Sequence, residues 1–149
     1  MRIETASPYE SDVATLLVLH LGNAQRQNAS QAYDATRLSG EDITLFAARD
    51  DQDRLMGIAA LKILSPTQGE IKSVRTHPDH VRKGVAHALM NHLEDDARAN
   101  GLSELLLETH TTEAYKAATI LYENRGYLRC GPFGDHEETE ESLFMKLDL

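Results

Sequence analysis

The stretch from Ser73 to Met90 constrains the fold most, because it predicts a strand, a polar turn and a helix in immediate succession. Pro78 cannot donate a hydrogen bond to a sheet and biases the residue before it toward an extended conformation, so the strand should end there. After the turn, apolar side chains recur on one helical face, at Val85, Leu89, Leu93 and Ala97. The sequence therefore places a helix N-terminus directly beyond the end of a strand.

This turn has the chemistry of an anion site. The first N–H groups of a helix lack intrahelical partners and carry a partial positive charge. Gly84 allows close approach of a ligand to the backbone, while Arg82 and Lys83 add full positive charges. A phosphate or pyrophosphate would suit these donors. An ordinary strand-to-helix connection with two solvated cations explains the same residues equally well.

Two motifs carry a resemblance to a known family. The segment from Val81 to Ala86 is similar to the [QR]-x-x-G-x-[GA] motif of the GNAT superfamily of acyl-CoA-dependent N-acetyltransferases, with Val81 in place of Gln or Arg. The segment from Ala118 to Tyr127 resembles the family's A-x-x-L-Y-x-x-x-G-[FY] helix end. Two motifs in the expected order are more specific than either alone.

The resemblance implies that acetyl-CoA is a co-substrate. The turn would cradle its pyrophosphate, and the backbone of the preceding strand would bond the pantetheine arm and the acetyl carbonyl. The implied cofactor-binding residues are Val74, Arg75, Thr76, Arg82, Lys83, Gly84, Val85, Ala86 and His87. Tyr115 stands where many family members carry Asn.

The resemblance also points to two catalytic residues. Glu70 lies where some family members place a glutamate that removes a proton from the acceptor amine, directly or through water; Glu108 is the next candidate. A strand-end carboxylate that faces water is the competing interpretation. Tyr122 would protonate or hydrogen-bond the departing CoA thiolate. A tyrosine that only packs between helix and sheet is the alternative.

Length and composition limit the number of domains, the possible partners and the expected location of the protein. The 149 residues suffice for one domain, residues 1–149, with its own core. A net charge of −9 disfavours nucleic acid as a partner. Neither a long apolar run nor an apolar signal core is present, so we expect no membrane partner and a cytoplasmic location. Cys130 is the single cysteine, which excludes an internal disulfide and favours a small apolar role over a nucleophilic one.

The clustered histidines do not indicate a metal site, so we expect no metal. His77 and His80 lie in a turn, whereas His87 and His92 are five residues apart on a helix and do not share a face. The resemblance implies that the partner is an amine acceptor, either a small molecule or a peptide, and a homodimer is compatible with the sequence.

The predicted element order is β, α, α, β, β, β, α, β, α, β, β. The first helix should cover Asp12 to Leu19, with Ser11 as N-cap and a stop at Gly22-Asn23; a second, weakly periodic helix should cover Ala24 to Thr36. The long helix should run from Val85 to Asn100 and the next from Thr111 to Asn124.

This order predicts an α/β fold with a mixed sheet. Three consecutive antiparallel strands should be followed by a βαβ crossover, which makes the fourth and fifth strands the parallel pair. Helices should flank the mostly antiparallel sheet, as in the GNAT acyl-CoA N-acyltransferase fold.

The predicted function is transfer of an acetyl group from acetyl-CoA to an amine by direct attack in a ternary complex. No convincing nucleophile for a covalent intermediate is present in the sequence. The alternative from another class is a non-catalytic acyl-CoA-binding module that regulates a partner.

Overall fold

A mixed β-sheet forms the centre of the computed structural model, which describes the backbone of residues 1–26 and 34–149 and the side chains of residues 1–19 and 34–149. Within that part of the chain, seven strands pair in the order β1-β2-β3-β4-β5-β7-β6. The strands are β1 (Arg2–Thr5), β2 (Ile43–Arg49), β3 (Leu55–Ile63), β4 (Gln68–Thr76), β5 (Glu104–His110), β6 (Leu128–Cys130) and β7 (Ser142–Asp148).

Helices cover both faces of this sheet. They are α1 (Ser11–Arg26), α2 (Ala35–Leu38), α3 (Val85–Ala99) and α4 (Lys116–Asn124), with 3₁₀ turns at Pro78–His80 and Glu113–Tyr115. None of the helices in the described ranges is long and apolar enough to cross a membrane.

Two hydrophobic clusters hold the helices to the sheet. On one face, the apolar stripe of α3 packs on Ile71 and Leu107 of the central strands. On the other face, Val13 and Leu16 of α1 pack on Ile58 of β3. The sheet therefore separates two chemically distinct sides, one beneath α3 and α4 and one beneath α1 and α2.

The two central strands pair over only four residues each. β4 and β5 are the parallel pair, and their register runs from Gln68 opposite Glu104 to Ile71 opposite Leu107. Beyond that point β4 continues to pair with β3, while β5 pairs with β7. Ser73 has a positive φ of 56°, and the β3–β4 register shifts beside it. The sheet therefore opens between β4 and β5, in a gap that we call the strand opening.

The predicted fold class is confirmed: the sheet is mixed, β4 and β5 form its parallel pair, and helices flank it. The predicted helix from Thr111 to Asn124 is shorter than expected, because its first part forms the 3₁₀ turn Glu113–Tyr115 and α4 begins at Lys116. The 3₁₀ turn satisfies its backbone locally, with the Tyr115 N–H donating to the Thr112 carbonyl.

The prediction for the first helix is wrong at both ends. Ser11 is the first helical residue rather than the N-cap, and the helix continues past Gly22-Asn23 to Arg26. A glycine inside a helix costs only about 1 kcal/mol, which good helix formers on both sides can offset. In the predicted second helix, Ala24–Arg26 are helical but extend α1 instead of starting a new helix, and residues 27–33 lie outside the described part. Ala35 and Thr36 fall in the short α2. Asp34 caps the short α2 instead, accepting from the Arg37 N–H at 2.9 Å.

The close packing of α3 on the sheet should depend on Gly57 of β3. A Cβ at this position would lie 2.8 Å from Val85 Cγ1 and 2.9 Å from the backbone oxygen of Arg75. Backbone atoms cannot move aside cheaply, so we expect Gly57→Ala to cost about 1–3 kcal/mol of unfolding free energy. Urea denaturation measures this loss. Gly131→Ala is the matched control, because its Cβ meets nothing within 4 Å. Equal stability of the two variants would contradict this packing argument.

Candidate active site

A cavity of about 640 Å³ lies beside the strand opening, between the end of β4, the start of α3 and the inner face of α4. Eight of the nine predicted cofactor-binding residues line it: Val74, Arg75, Thr76, Arg82, Gly84, Val85, Ala86 and His87. Tyr122 lines the same cavity from α4. The chain thus brings the two sequence motifs together around one space.

The floor of this cavity presents the N-terminus of α3. Gly84 adopts a left-handed conformation, with φ of 77°, and Arg82 does likewise, with φ of 61°. No side chain caps the helix, so its first N–H groups remain available to a ligand. Lys83 does not line the cavity; its Nζ lies 3.4 Å from His80 Nδ1. The donors, the helix dipole and Arg82 together suit an anionic group.

Buried polar atoms near the strand opening lack partners. Among the described residues, Ser73 Oγ and Arg75 Nε are buried without a hydrogen bond. Buried polar groups are normally paired, so such orphans indicate a place for a polar ligand. They fit the amide-bearing arm of an acyl-CoA.

Tyr122 lines the cavity from a buried position. The residue is 6% exposed, and its ring centroid lies 5.8 Å from that of Tyr127. Burial raises the pKa of Tyr122 above its ordinary value, so the phenol stays protonated at neutral pH. Tyr122 can therefore act as a hydrogen-bond donor.

Glu70 lies away from this cavity, in a buried charged cluster. His136 Nε2 lies 2.6 Å from Glu70 Oε2, and Lys72 Nζ donates to the same oxygen at 3.2 Å. His136 Nδ1 lies 3.6 Å from Glu108 Oε1, which is beyond hydrogen-bonding distance. We call Glu70, Lys72, Glu108 and His136 the charged cluster. Strand alternation places it on the sheet face opposite Ile71 and Leu107.

The cluster shifts the acidity of its members. The carboxylates of Glu108 and Glu70 raise the pKa of His136 to about 9, against the opposing effect of burial. Burial raises the pKa of Glu70, but the hydrogen bonds and charges of His136 and Lys72 outweigh it and hold that pKa below its ordinary value. At neutral pH Glu70 is therefore ionised and His136 is protonated.

The sequence gives no sign of His136. It lies in the polar segment between β6 and β7, 66 residues after Glu70, and no spacing links the two. The environment of Glu70 also differs from one of the two expectations. The residue is only 2% exposed, and its carboxylate is ion-paired with Lys72 instead of facing water. The competing interpretation of Glu70 as a solvated strand-end group is therefore wrong.

A second polar network fixes the walls of the cavity. Arg125, which follows α4, donates to both carboxylate oxygens of Glu94 on α3, at 2.8 and 3.2 Å. Tyr127 donates to Glu94 at 3.0 Å, and Arg125 Nη1 lies 3.2 Å from His87 Nδ1. The network joins α3 to the end of α4, which sets the width of the cavity between them.

The remaining candidate residues have structural contacts. His77 accepts from the Asp79 N–H at 3.1 Å, and His92 packs on Phe46 with ring centroids 5.0 Å apart. Across the described residues, no group of three or more His, Cys, Asp or Glu side chains could hold a metal ion. Burial raises the pKa of Cys130, which disfavours the thiolate that a nucleophile requires.

Comparison with known proteins agrees with this geometry. The model of the acetyltransferase (GNAT) family matches residues 13–127. A protein named as an uncharacterized N-acetyltransferase, YsnE of Bacillus subtilis (strain 168), is 41% identical over 113 residues, which cover 76% of this chain and 74% of YsnE. The chain therefore belongs to the GNAT family of acetyltransferases, and the predicted enzyme class is confirmed.

Solved structures share the fold. A Klebsiella pneumoniae protein assigned to the acyl-CoA N-acyltransferases superimposes with a TM-score of 0.84 at 24% identity, covering 99% of this chain and 97% of that one. An aminoglycoside 6'-N-acetyltransferase in complex with coenzyme A gives a TM-score of 0.75 at 16% identity, with the same coverages. At these identities the likeness concerns the fold alone.

The charged cluster should make stability depend on pH through His136. Because the folded-state pKa of about 9 exceeds the ordinary value of 6.5, its stabilisation is complete below pH about 6.5 and is lost as pH rises through about 9. As the pH rises from about 6.5 to about 9, we expect the melting temperature of the parent to fall relative to that of His136→Gln. Thermal melts across the range measure the difference, and His92→Gln is the control. Parallel curves for parent and His136→Gln would contradict the cluster.

Proposed function

We propose that the protein transfers the acetyl group of acetyl-CoA to a primary amine of a small molecule or peptide, by direct attack in a ternary complex. The observation that carries this proposal is the shared cavity, which is lined both by an uncapped helix N-terminus and by the buried Tyr122. We further propose that residues 1–149 act as one catalytic domain in the cytoplasm, with a homodimer compatible with this function.

Acetyl-CoA would lie along the strand opening. Its pyrophosphate would accept from the N–H groups at the start of α3, between Arg82 and His87, where the helix dipole favours negative charge. Its pantetheine arm would bond the backbone of Val74, Arg75 and Thr76, whose β5 side is left unpaired when the strands part. The acetyl group would then reach the narrow end of the opening, near Ile71 and Leu107.

The two faces of the sheet would divide the chemistry. Tyr122 would donate a hydrogen bond to the thiolate as the carbon–sulfur bond breaks. A free thiol has a pKa of about 8.5, well below that of a buried phenol, so complete proton transfer from Tyr122 is uphill. Glu70 would be one of the side chains that together remove the proton from the amine, since it is a buried carboxylate close to the strand opening.

A direct mechanism suits these residues better than a covalent acyl-enzyme. Cys130 is the single thiol, and its pKa is raised rather than lowered. A non-catalytic acyl-CoA-binding module is the less favoured alternative, because membership of an acetyltransferase family and a donor hydroxyl in the cavity both favour catalysis. Incubation with acetyl-CoA and a panel of primary amines, followed by mass spectrometry, tests the proposal. Tight acetyl-CoA binding with no acetylated product would favour the module.

The pyrophosphate assignment predicts that Gly84→Asp abolishes acetyl-CoA binding. The new carboxylate would place negative charge at the helix N-terminus where the pyrophosphate should lie. Isothermal titration calorimetry measures the affinity. Gly101→Asp is a matched control at the other end of α3, because Gly101 has a similar φ of 80° and its Cβ also meets nothing within 4 Å. Parent-like affinity of a folded Gly84→Asp protein would refute the assignment.

The role of Tyr122 predicts a selective loss of turnover. Tyr122→Phe keeps the ring and its packing, and we expect kcat to fall by about tenfold to a thousandfold, the range for removal of one aimed donor. Acetyl-CoA affinity and melting temperature should change little, because the interaction strengthens only as the carbon–sulfur bond breaks. Single-turnover kinetics measure the chemical step, with Tyr9→Phe as the exposed control. An unchanged rate would make Tyr122 a packing residue.

A further inference from the structure

The nitrogen atoms of His136 have different surroundings. Nε2 is occupied by the 2.6 Å contact to Glu70. Nδ1 is buried and forms no hydrogen bond with any described residue, and the whole side chain is 7% exposed. A buried nitrogen without a partner is rare and calls for a functional explanation. His136 thus has one nitrogen fixed by the Glu70 carboxylate, while the other lies 3.6 Å from Glu108 without a hydrogen bond.

The available nitrogen is directed toward the strand opening. Nδ1 approaches Glu108, which is the first β5 residue beyond the last β4–β5 pair, Ile71 with Leu107. That is the narrow end of the opening, where the acetyl group would lie. The cluster occupies the sheet face opposite the α3 cluster, so an amine approaching from this face would meet His136 before the carbonyl carbon.

We propose that His136 is the residue that takes the proton from the acceptor amine, through Nδ1, and that Glu70 acts through His136 by orienting and stabilising its ring. This inference rests on the proposed function and names the group that performs its proton transfer. Aromatic rings fix the imidazole from its other sides, with Phe133 and Phe144 at centroid distances of 4.7 and 6.0 Å.

Charge balance explains why the amine would be neutral when it attacks. When His136 is protonated, the positive charges of His136 and Lys72 balance the negative charges of Glu70 and Glu108. An arriving ammonium group would add an uncompensated charge in a buried site, which is costly, so one proton must leave. That proton leaves from the amine, and the imidazolium of His136 loses its own proton to solvent in a separate ionisation, with a pKa of about 9. The two losses together leave a neutral amine beside a neutral imidazole.

From this state, transfer of the acetyl group from sulfur to nitrogen balances in atoms and in charge. The nitrogen lone pair attacks the acetyl carbonyl carbon, a carbon–nitrogen bond forms, and the proton on nitrogen moves to His136 Nδ1. The tetrahedral intermediate collapses as the carbon–sulfur bond breaks, and the electron pair stays on the CoA sulfur. Tyr122 donates a hydrogen bond to that sulfur, which takes a proton from solvent, and His136 returns its proton to solvent.

Glu70 alone is a weak candidate for this step. Its pKa lies below the ordinary value, so it would hold a proton from an amine poorly. The pKa of His136, about 9, lies much closer to that of an alkylamine. The charged groups that face the imidazole ring are Glu70 and Lys72 from β4 and Glu108 from β5. On the neighbouring strands, Lys62 of β3 pairs with Glu70 in the sheet register. Lys146 of β7 pairs with Leu106 of β5.

The test compares pH–rate profiles of purified proteins, using acetyl-CoA and whichever of benzylamine, spermidine or an alanine-initiated tetrapeptide the parent acetylates fastest. In the parent, kcat/KM should rise with pH to a plateau above about 9, where His136 is neutral. His136→Gln should lower kcat/KM by about a hundredfold to ten-thousandfold, with unchanged acetyl-CoA affinity. Glu70→Gln should move the inflection to lower pH, because the imidazolium loses its carboxylate.

Chemical rescue separates proton transfer from a structural role. Added imidazole should restore His136→Gly by at least about tenfold, and it should not change the parent or His92→Gln. A parent-like rate and profile for His136→Gln would overturn the inference. A lowered rate without imidazole rescue, together with an unmoved inflection in Glu70→Gln, would also overturn it and make His136 structural.

Failure of the broader proposal has a different signature. A parent protein that binds acetyl-CoA yet acetylates none of the three amines would refute the proposed function and this inference together. An active parent whose activity does not depend on His136 would overturn the inference alone.

Discussion

The parting of β4 from β5 is the constraint on which the candidate site depends. Backbone groups in a sheet must find partners, and the two strands satisfy each other only as far as Ile71 and Leu107. Beyond them, β4 stays bound to β3 and β5 to β7, so the inner edges of both strands are left for a ligand. The opening also joins the two faces of the sheet, and under the proposed function acetyl-CoA and the amine would approach one point from opposite sides.

The two faces have different electrostatic character, and each character follows from local packing. Beneath α3 and α4 the walls of the cavity are mostly apolar, and positive charge is supplied by a helix N-terminus, Arg75 and Arg82. On the opposite face, Glu70 and Lys72 are buried near the narrow end of the opening, with His136 and Glu108 beside them. Buried charges are stable only when paired, and the ring of His136 between two carboxylates meets this requirement.

The part of the site that could be predicted from sequence is local along the chain. The segment from Val81 to Ala86 contains its own turn, its glycine and the first residues of its helix, so its conformation hardly depends on distant residues. The motif that points to Tyr122 is equally local, because it runs from Ala118 in α4 to Tyr127 just beyond the helix. The predictions that failed, at Gly22-Asn23 and over Ala24–Arg26, concern weak helix signals, where a glycine costs too little to stop a helix.

The sequence by itself determined the element order, the parallel pair and the turn that precedes α3, because hydrophobic period and turn chemistry act between near neighbours. Only the tertiary structure decided what surrounds Glu70. Its partner His136 comes from a polar connection 66 residues away, and the return of β7 beside β5 brings that connection over the strand opening. No pattern in the chain records this contact, since it arises from strand order in space, and it converts a strand-end carboxylate into a buried, charge-balanced pair.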